Sequence, residues 1–168
     1  MTEPAPRTDD ELLRSIRQGD ASAFEALYGR YQDWVVSLAF RFCGNREDAL
    51  DVLQETFTYF FRKLPGFELR CRMKTFLYPV VKHLAISRKD ARRRSLPAEP
   101  AAAPDRPPDE VEALLGDLPE GQKEVVLLRF VDGLDLKEIA GVLEIPLGTV
   151  KSRLHGAIEV LRRNLPNR

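Results

Sequence analysis

Thr149, Lys151, Ser152, Arg153 and His155 fall within about two helical turns of one another. Small hydroxyl groups set between long cations suit nucleic acid, because slim side chains can approach base edges while Lys and Arg reach phosphates. These residues lie in a run where Leu147, Val150, Leu154, Ile158 and Leu161 recur every three or four positions. At about 100° per residue those apolar groups share one face. The opposite face then presents Gly148, Thr149, Ser152, His155 and Gly156, with Lys151 and Arg153 on its flanks. Upstream, Asp135 and Glu138 have capping-box spacing, Ile139, Ala140 and Leu143 make an inner stripe, and Pro146 marks a turn. Residues 134–163 therefore predict a helix-turn-helix whose second helix enters a major groove. An ordinary antiparallel helix pair with a solvated outer face would show the same periodicity.

Two further groups have chemical character. Arg70, Arg72, Lys74, Lys82 and His83 are interleaved with Phe67, Phe76 and Tyr78; phosphates need positive charge and an unstacked base needs a flat partner, so the mixture suits single-stranded DNA. A basic, solubilising helix end is the plainer reading. Asp48, Asp51, Gln54 and Glu55, with Glu47 and Thr58, collect on the outer face of a helix whose inner face is Ala49, Val52, Leu53, Phe57, Phe60 and Leu64. By periodicity alone this is a solvated acidic face. No Gly-rich phosphate loop, paired His/Cys ligands or nucleophile beside a base occurs in motif context, so no catalytic residue, metal or cofactor is expected. Cys43 and Cys71 form no CxxC and read as a free pair.

The elements that must position these groups are helical throughout. Thr8 or Asp9 caps a short helix through Gln18, with Leu12 and Ile16 inward and Gly19 stopping it. Asp20 or Ser22 opens a longer one whose stripe is Phe24, Leu27, Tyr28, Tyr31, Trp34, Val35, Leu38 and Phe42, broken at Gly44-Asn45. That stripe is read as packing, without chemistry of its own. Asn45 starts the acidic helix, and Pro65-Gly66 ends it. A fourth helix runs from about Thr75 to Arg94, with Pro79 near its start, where a kink or a late beginning of the regular part is expected. After a Pro/Ala-rich stretch at 95–108, Val111, Leu114 and Leu115 suggest a short helix. Pro119 opens another through about Val131, with Val125, Leu127 and Leu128 inward. The expected fold is all-α: two small helical domains, 9–94 and 109–165, joined by a flexible linker at 95–108 and preceded by a disordered lead at 1–8.

Net charge is zero, with 26 Lys plus Arg against 26 Asp plus Glu, which is unexpected for a protein that binds DNA unaided. The charges are segregated instead, the acidic group being followed by a basic tract from Arg70 to Arg94, and local sign identifies partners better than the total. No apolar run approaches the roughly 20 residues of a membrane span, and the N-terminus lacks the cations and apolar run of a signal peptide. A cytoplasmic protein with no membrane partner is expected.

The run Ile145-Pro146-Leu147-Gly148-Thr149-Val150-Lys151-Ser152-Arg153-Leu154 closely resembles the recognition helix of region 4 in extracytoplasmic-function (ECF) sigma factors. Residues 119–133 look like the first part of that region. Residues 48–57, DALDVLQETF, look like region 2.2, the surface by which that family grips the clamp coiled coil of RNA polymerase. Residues 67–89 resemble regions 2.3 to 2.4, which open the minus-10 element and capture a flipped base. The resemblance implies an alternative sigma factor, an initiation subunit with no catalytic site of its own, whose partners are core RNA polymerase, promoter DNA and an anti-sigma factor. It assigns polymerase binding to Asp48, Asp51, Gln54 and Glu55. Minus-10 contacts fall to Phe67, Arg70, Arg72, Lys74, Phe76, Tyr78, Lys82 and His83, and minus-35 contacts to Thr149, Lys151, Ser152, Arg153 and His155. The linker would pass through the polymerase active-centre and RNA-exit channels. Three positions depart from the family: Glu144 stands for the usual Gly, Phe76 for Trp and His83 for Asn, so the minus-10 preference stays open. Two other classes remain. One is a dimeric regulator resembling response-regulator output domains, although no alternating strand-helix receiver precedes the helix-turn-helix. The other is a helical module that binds protein only.

Overall fold

The computed structural model describes residues 7–95 and 114–164. It contains helices α1 (Asp9–Arg17), α2 (Ala21–Cys43), α3 (Arg46–Lys63), α4 (Met73–Ser95), α5 (Glu120–Val126), α6 (Leu136–Leu143) and α7 (Leu147–Asn164), with a π-helical turn at Leu127–Val131. No strand occurs among the described residues. The chain divides into two compact units, residues 1–105 and 106–168. The expected lead and linker lie almost wholly outside the described residues, as does Val111.

In the first unit the starts of α1, α2 and α3 are each fixed by a short polar side chain. Thr8 accepts from the Glu11 amide while Glu11 accepts from the Thr8 amide, a reciprocal box at the head of α1. Asp20 caps α2 and Asn45 caps α3, accepting from Asp48 N–H at 2.8 Å. Helix α2 packs against α1, α3 and α4. Its buried line is Ala23, Leu27, Tyr31, Val35, Leu38, Ala39 and Cys43. The aromatic stripe expected to be uniformly inward is thus divided. Phe24, Tyr28, Trp34 and Phe42 are half-buried, and the first two seal the α2–α3 seam, Phe24 lying 4.4 Å from Phe61 and Tyr28 4.7 Å from Phe57 by ring centroids. Ala23 and Ala39, which periodicity of large residues does not reveal, are fully buried. Tyr31 donates to the Asp9 carboxylate, which also pairs with Arg30, tying α1 to α2; burial and this bond hold the phenol well above its usual range.

Helix α4 begins at Met73 and runs through Pro79 without a break. Pro79 has no N–H to donate and faces solvent, while Leu77, Tyr78 and Val81 beside it are buried and keep the helix seated.

The second unit has its core in Leu115, Leu118, Val125, Val126, Leu128, Leu134, Ile139, Val150 and Ala157. Leu114, expected inward with Leu115, is exposed. The helix expected through Val131 changes pitch after Val126: the π turn keeps Leu128 inside but turns Phe130 outward to 64% exposure, along with Val131. Asp132 N–H donates to the Leu127 carbonyl at 3.0 Å and Leu134 N–H to that of Leu128 at 2.9 Å, closing the turn. Asp135 accepts from the amides of Lys137 and Glu138 at 2.8 Å each, and Glu138 accepts from the Asp135 amide at 2.8 Å. Helix α6 ends at Glu144 with φ 53° and ψ 41°, a left-handed conformation on a residue with a Cβ.

Candidate nucleic-acid interface

Helix α7 is seated by Val150 and Ala157, both fully buried, with Leu154 and Leu161 half-buried against the same core. The seating exposes Gly148, Lys151, Ser152 and His155 together, with Thr149 half-buried at their edge. Ser152 Oγ donates to the Thr149 carbonyl at 3.0 Å, which points the hydroxyl back along the helix, and His155 stands 4.0 Å from Glu159 one turn on. Two positions differ from expectation. A Cβ on Gly156, expected outward, would meet Gln122 Nε2 of α5 at 2.9 Å, so this glycine lies at a helix crossing. Arg153 is half-buried, and a Cβ on Gly121 would meet its guanidinium at 3.1 Å, so it lies over the first turn of α5. A wheel drawn from large apolar residues cannot show this, because the close approach is made by residues without side chains.

The loop between α3 and α4 and the first half of α4 form a second basic surface. Phe67 and Phe76 have ring centroids 4.6 Å apart and rest on buried Phe60 at 5.8 and 6.1 Å. The Arg17 guanidinium donates to the Phe67 carbonyl and so ties this loop to α1. Arg70 and Arg72 are exposed, Arg70 lying 3.3 Å from Glu68. His83 is exposed on α4, while Lys74 and Lys82 are half-buried. Tyr78 differs from expectation: it is 2% exposed and edge-on to Phe42, so its ring is part of the α2–α4 core and not open to a base. Its position on the helix puts it under Lys82, one turn away.

The acidic surface of α3 is less solvated than its periodicity suggests. Arg88 of α4 bridges Asp51 at 2.7 Å and Glu55, and Arg92 reaches Asp48 at 3.3 Å. Asp48 is 8% exposed and is also held by the Asn45 side chain. The hydrogen bond to Glu55, reinforced by the surrounding carboxylates, raises the Arg88 pKa against the cost of desolvation. Arg88 and Arg92, two members of the basic tract, are therefore engaged within the fold. Glu47, Gln54 and Thr58 remain exposed, and between them Leu50 is 41% exposed, an apolar group that the acidic pattern concealed.

These surfaces coincide with two family matches. Sigma-70 region 2 matches residues 27–95, which contain the α3 and α4 surfaces, and sigma-70 region 4 matches residues 109–161, which contain the exposed group on α7. An ECF RNA polymerase sigma factor, SigW of Bacillus subtilis, is 30% identical across 91% of this chain and 94% of its own length. The chain belongs to the sigma-70 family as an ECF sigma factor. The ECF sigma-E factor of Haemophilus influenzae is 32% identical across 94% of this chain and 95% of its own. Among solved structures, CnrH in complex with the cytosolic domain of CnrY superposes with a TM-score of 0.65 at 24% identity, covering 90% of this chain and 93% of that one. The sigma factor RpoE of Bartonella quintana, solved with the anti-sigma factor NepR, gives 0.62 at 20%, covering 83% and 94%. Both support the fold.

This sigma factor's cysteines fit the same layout without adding to it. Cys43 is buried, its thiol pushed up by desolvation and donating to the Asn45 carbonyl at 3.3 Å, and Cys71 is exposed in the basic loop. Among the described residues no group of three or more His, Cys, Asp or Glu could hold a metal ion, and no helix is long and apolar enough to cross a membrane.

Proposed function

We propose that this sigma factor brings core RNA polymerase to its promoters by reading a minus-35 element with α7 and opening minus-10 DNA with the α3–α4 loop and the first half of α4. The observation that carries the reading is the exposed group Gly148, Lys151, Ser152 and His155, set opposite buried Val150 and Ala157 on a helix led in by a capped α6 and a tight turn. Slim groups at the centre and a cation at the edge are what a major-groove helix requires. Arg153, lying over α5, is placed for a phosphate at the groove edge more than for a base. At minus-10, Phe67 and Phe76 supply the aromatic surface, Arg70, Arg72, Lys74 and Lys82 the charge, and His83 a polar group on the outer side of α4. Polymerase binding falls to the α3 face through Gln54, the outward edges of Asp51 and Glu55, and Leu50 at the centre. Asp48 acts from beneath by holding Arg92.

Catalysis in this reading belongs to the polymerase, and the sigma factor needs no metal or small cofactor. It works in the cytoplasm, at the nucleoid when in holoenzyme, with residues 95–108 joining its two DNA-reading parts. The structures solved as complexes, RpoE with the anti-sigma factor NepR and CnrH with the cytosolic domain of CnrY, support an anti-sigma factor as a further partner. The deciding experiment is run-off transcription with core polymerase on a randomised promoter library. Lys151→Ala and His155→Ala should each weaken minus-35-dependent transcription, by about 1 to 3 kcal/mol where a base contact is lost, and a lost phosphate contact should lower the salt slope by about one. Unchanged minus-35 dependence in both folded variants would remove the assignment of α7.

A further inference from the structure

Both lysines of the proposed minus-10 surface sit over aromatic rings of α2, a helix so far given only a packing role. Lys74 Nζ lies 5.4 Å from the Trp34 ring centroid, and Lys82 Nζ lies 5.6 Å from that of Phe42. Trp34 and Phe42 are eight residues apart on α2, and Lys74 and Lys82 are eight apart on α4. The two helices therefore run side by side in the same direction with matched stride. Halfway between the two pairs, Leu38 and Tyr78 are 0% and 2% exposed and close the floor of the seam. Eight residues span about 12 Å of helix, so two ammonium groups are held at a set spacing along one edge.

The rings themselves are half-buried, unlike the fully buried Val35 and Leu38 of the same helix. A free lysine end samples many rotamers, and ordering it on a ligand costs entropy. A ring face beneath the ammonium restricts it beforehand, so less of that entropy is lost when it meets a phosphate.

Resting on the minus-10 reading of α4, we infer that Trp34 and Phe42 are positioning residues for promoter opening: they fix Lys74 and Lys82 along the α2–α4 seam to receive successive stretches of the single-strand phosphate backbone. The test uses holoenzyme assembled with full-length chain, on closed duplex and on a pre-melted bubble of the same sequence. Trp34→Leu should reduce opening of the duplex by about two- to fivefold, the range of an exposed cation–π pair. It should also flatten the salt dependence, leave core binding unchanged and be rescued by Trp34→Phe. In a Lys74→Ala background it should do nothing further, and Phe42→Leu should behave in the same way with Lys82→Ala. Equal losses with and without the lysine would show packing alone and overturn the inference. The second pair gives an independent reading should Trp34→Leu lower the melting temperature. If Lys74→Ala and Lys82→Ala themselves leave opening intact, the minus-10 assignment of α4 falls and takes the inference with it; defective lysine variants without coupling to the rings would overturn the inference alone.

Discussion

Glu144 shows how a single residue carries information at more than one level. It stands between Leu143 and the Ile145-Pro146 pair, where the sequence resemblance implies Gly, and its φ of 53° is the left-handed conformation that a glycine adopts without a Cβ penalty. A side chain in that conformation costs about 1 to 2 kcal/mol, part of which a glycine would lose again through greater freedom in the unfolded chain. Glu144→Gly should therefore stabilise the second unit by about 0.5 to 1 kcal/mol, seen as a rise of roughly 2 to 8 °C in its melting temperature, with DNA preference unchanged. A fall in melting temperature would mean that the Glu side chain contributes something the backbone angle does not show. The Asp135–Glu138 box was equally legible, because its partners are three residues apart and the chemistry is local. Tyr78 was not: an aromatic among cations reads the same whether its ring lies over the surface or beneath it, and only the packing of Phe42 decides.

At the level of elements, α3 and α4 are joined by charge as well as by apolar contact. Arg88 meets carboxylates 33 and 37 positions away in sequence, a distance at which no periodicity operates, so the acidic and basic faces looked independent when they are two sides of one seam. Pairs this exposed contribute modestly, on the order of 0.2 to 1 kcal/mol each. Arg88→Ala should lower the urea midpoint by a corresponding amount at low salt and much less at high salt; an effect independent of salt would assign the loss to packing of the Arg stem. Helix starts should respond to acid. Hydrogen bonds to the carboxylates hold Glu11, Asp20 and Asp135 below their ordinary values of 4.5, 3.8 and 3.8. A depressed folded-state pKa gives stability that is present above the unfolded value and lost as pH falls through the folded one. Helicity of α1, α2 and α6 should accordingly weaken only below about pH 4, and Asp135→Asn, which keeps the cap without the titrating charge, should make α6 less acid-sensitive in site-resolved amide exchange. Undiminished sensitivity would place the acid loss elsewhere.

For the whole molecule, zero net charge sets the terms of DNA binding, since phosphate neutralisation dominates non-specific affinity. The engagement of Arg88 and Arg92 with α3 withdraws two more cations from that role. The isolated chain should bind promoter DNA weakly and with strong salt sensitivity, and tightly only with core polymerase. Asp51→Asn with Glu55→Gln keeps oxygens for Arg88 to bond while removing the charge offered outward. This double variant should reduce the gain from core several-fold in a fluorescence anisotropy titration, without loss of fold. Tight, salt-insensitive binding of the isolated chain to promoter DNA would overturn this expectation. The two-part helical plan and the paired helices α6 and α7 were visible in the sequence because amphipathic period and capping are local. What was hidden lay in contacts between distant residues and in the places where a side chain is missing.

The crossing of α7 and α5 at Gly156 and Gly121 has a consequence for how such a protein can change. Gln122 and Arg153 occupy the space a methyl group would need at these glycines, so a side chain there is accommodated only as the ends of those two residues shift, whereas Gly148, Lys151, Ser152 and His155 are exposed and a Cβ on Gly148 would meet nothing within 4 Å. On the proposed reading of α7, new promoter preferences can therefore arise by change at a few open sites on one helix while the residues at the crossing stay as they are, and a laboratory search for altered specificity can be small: randomise those four positions first.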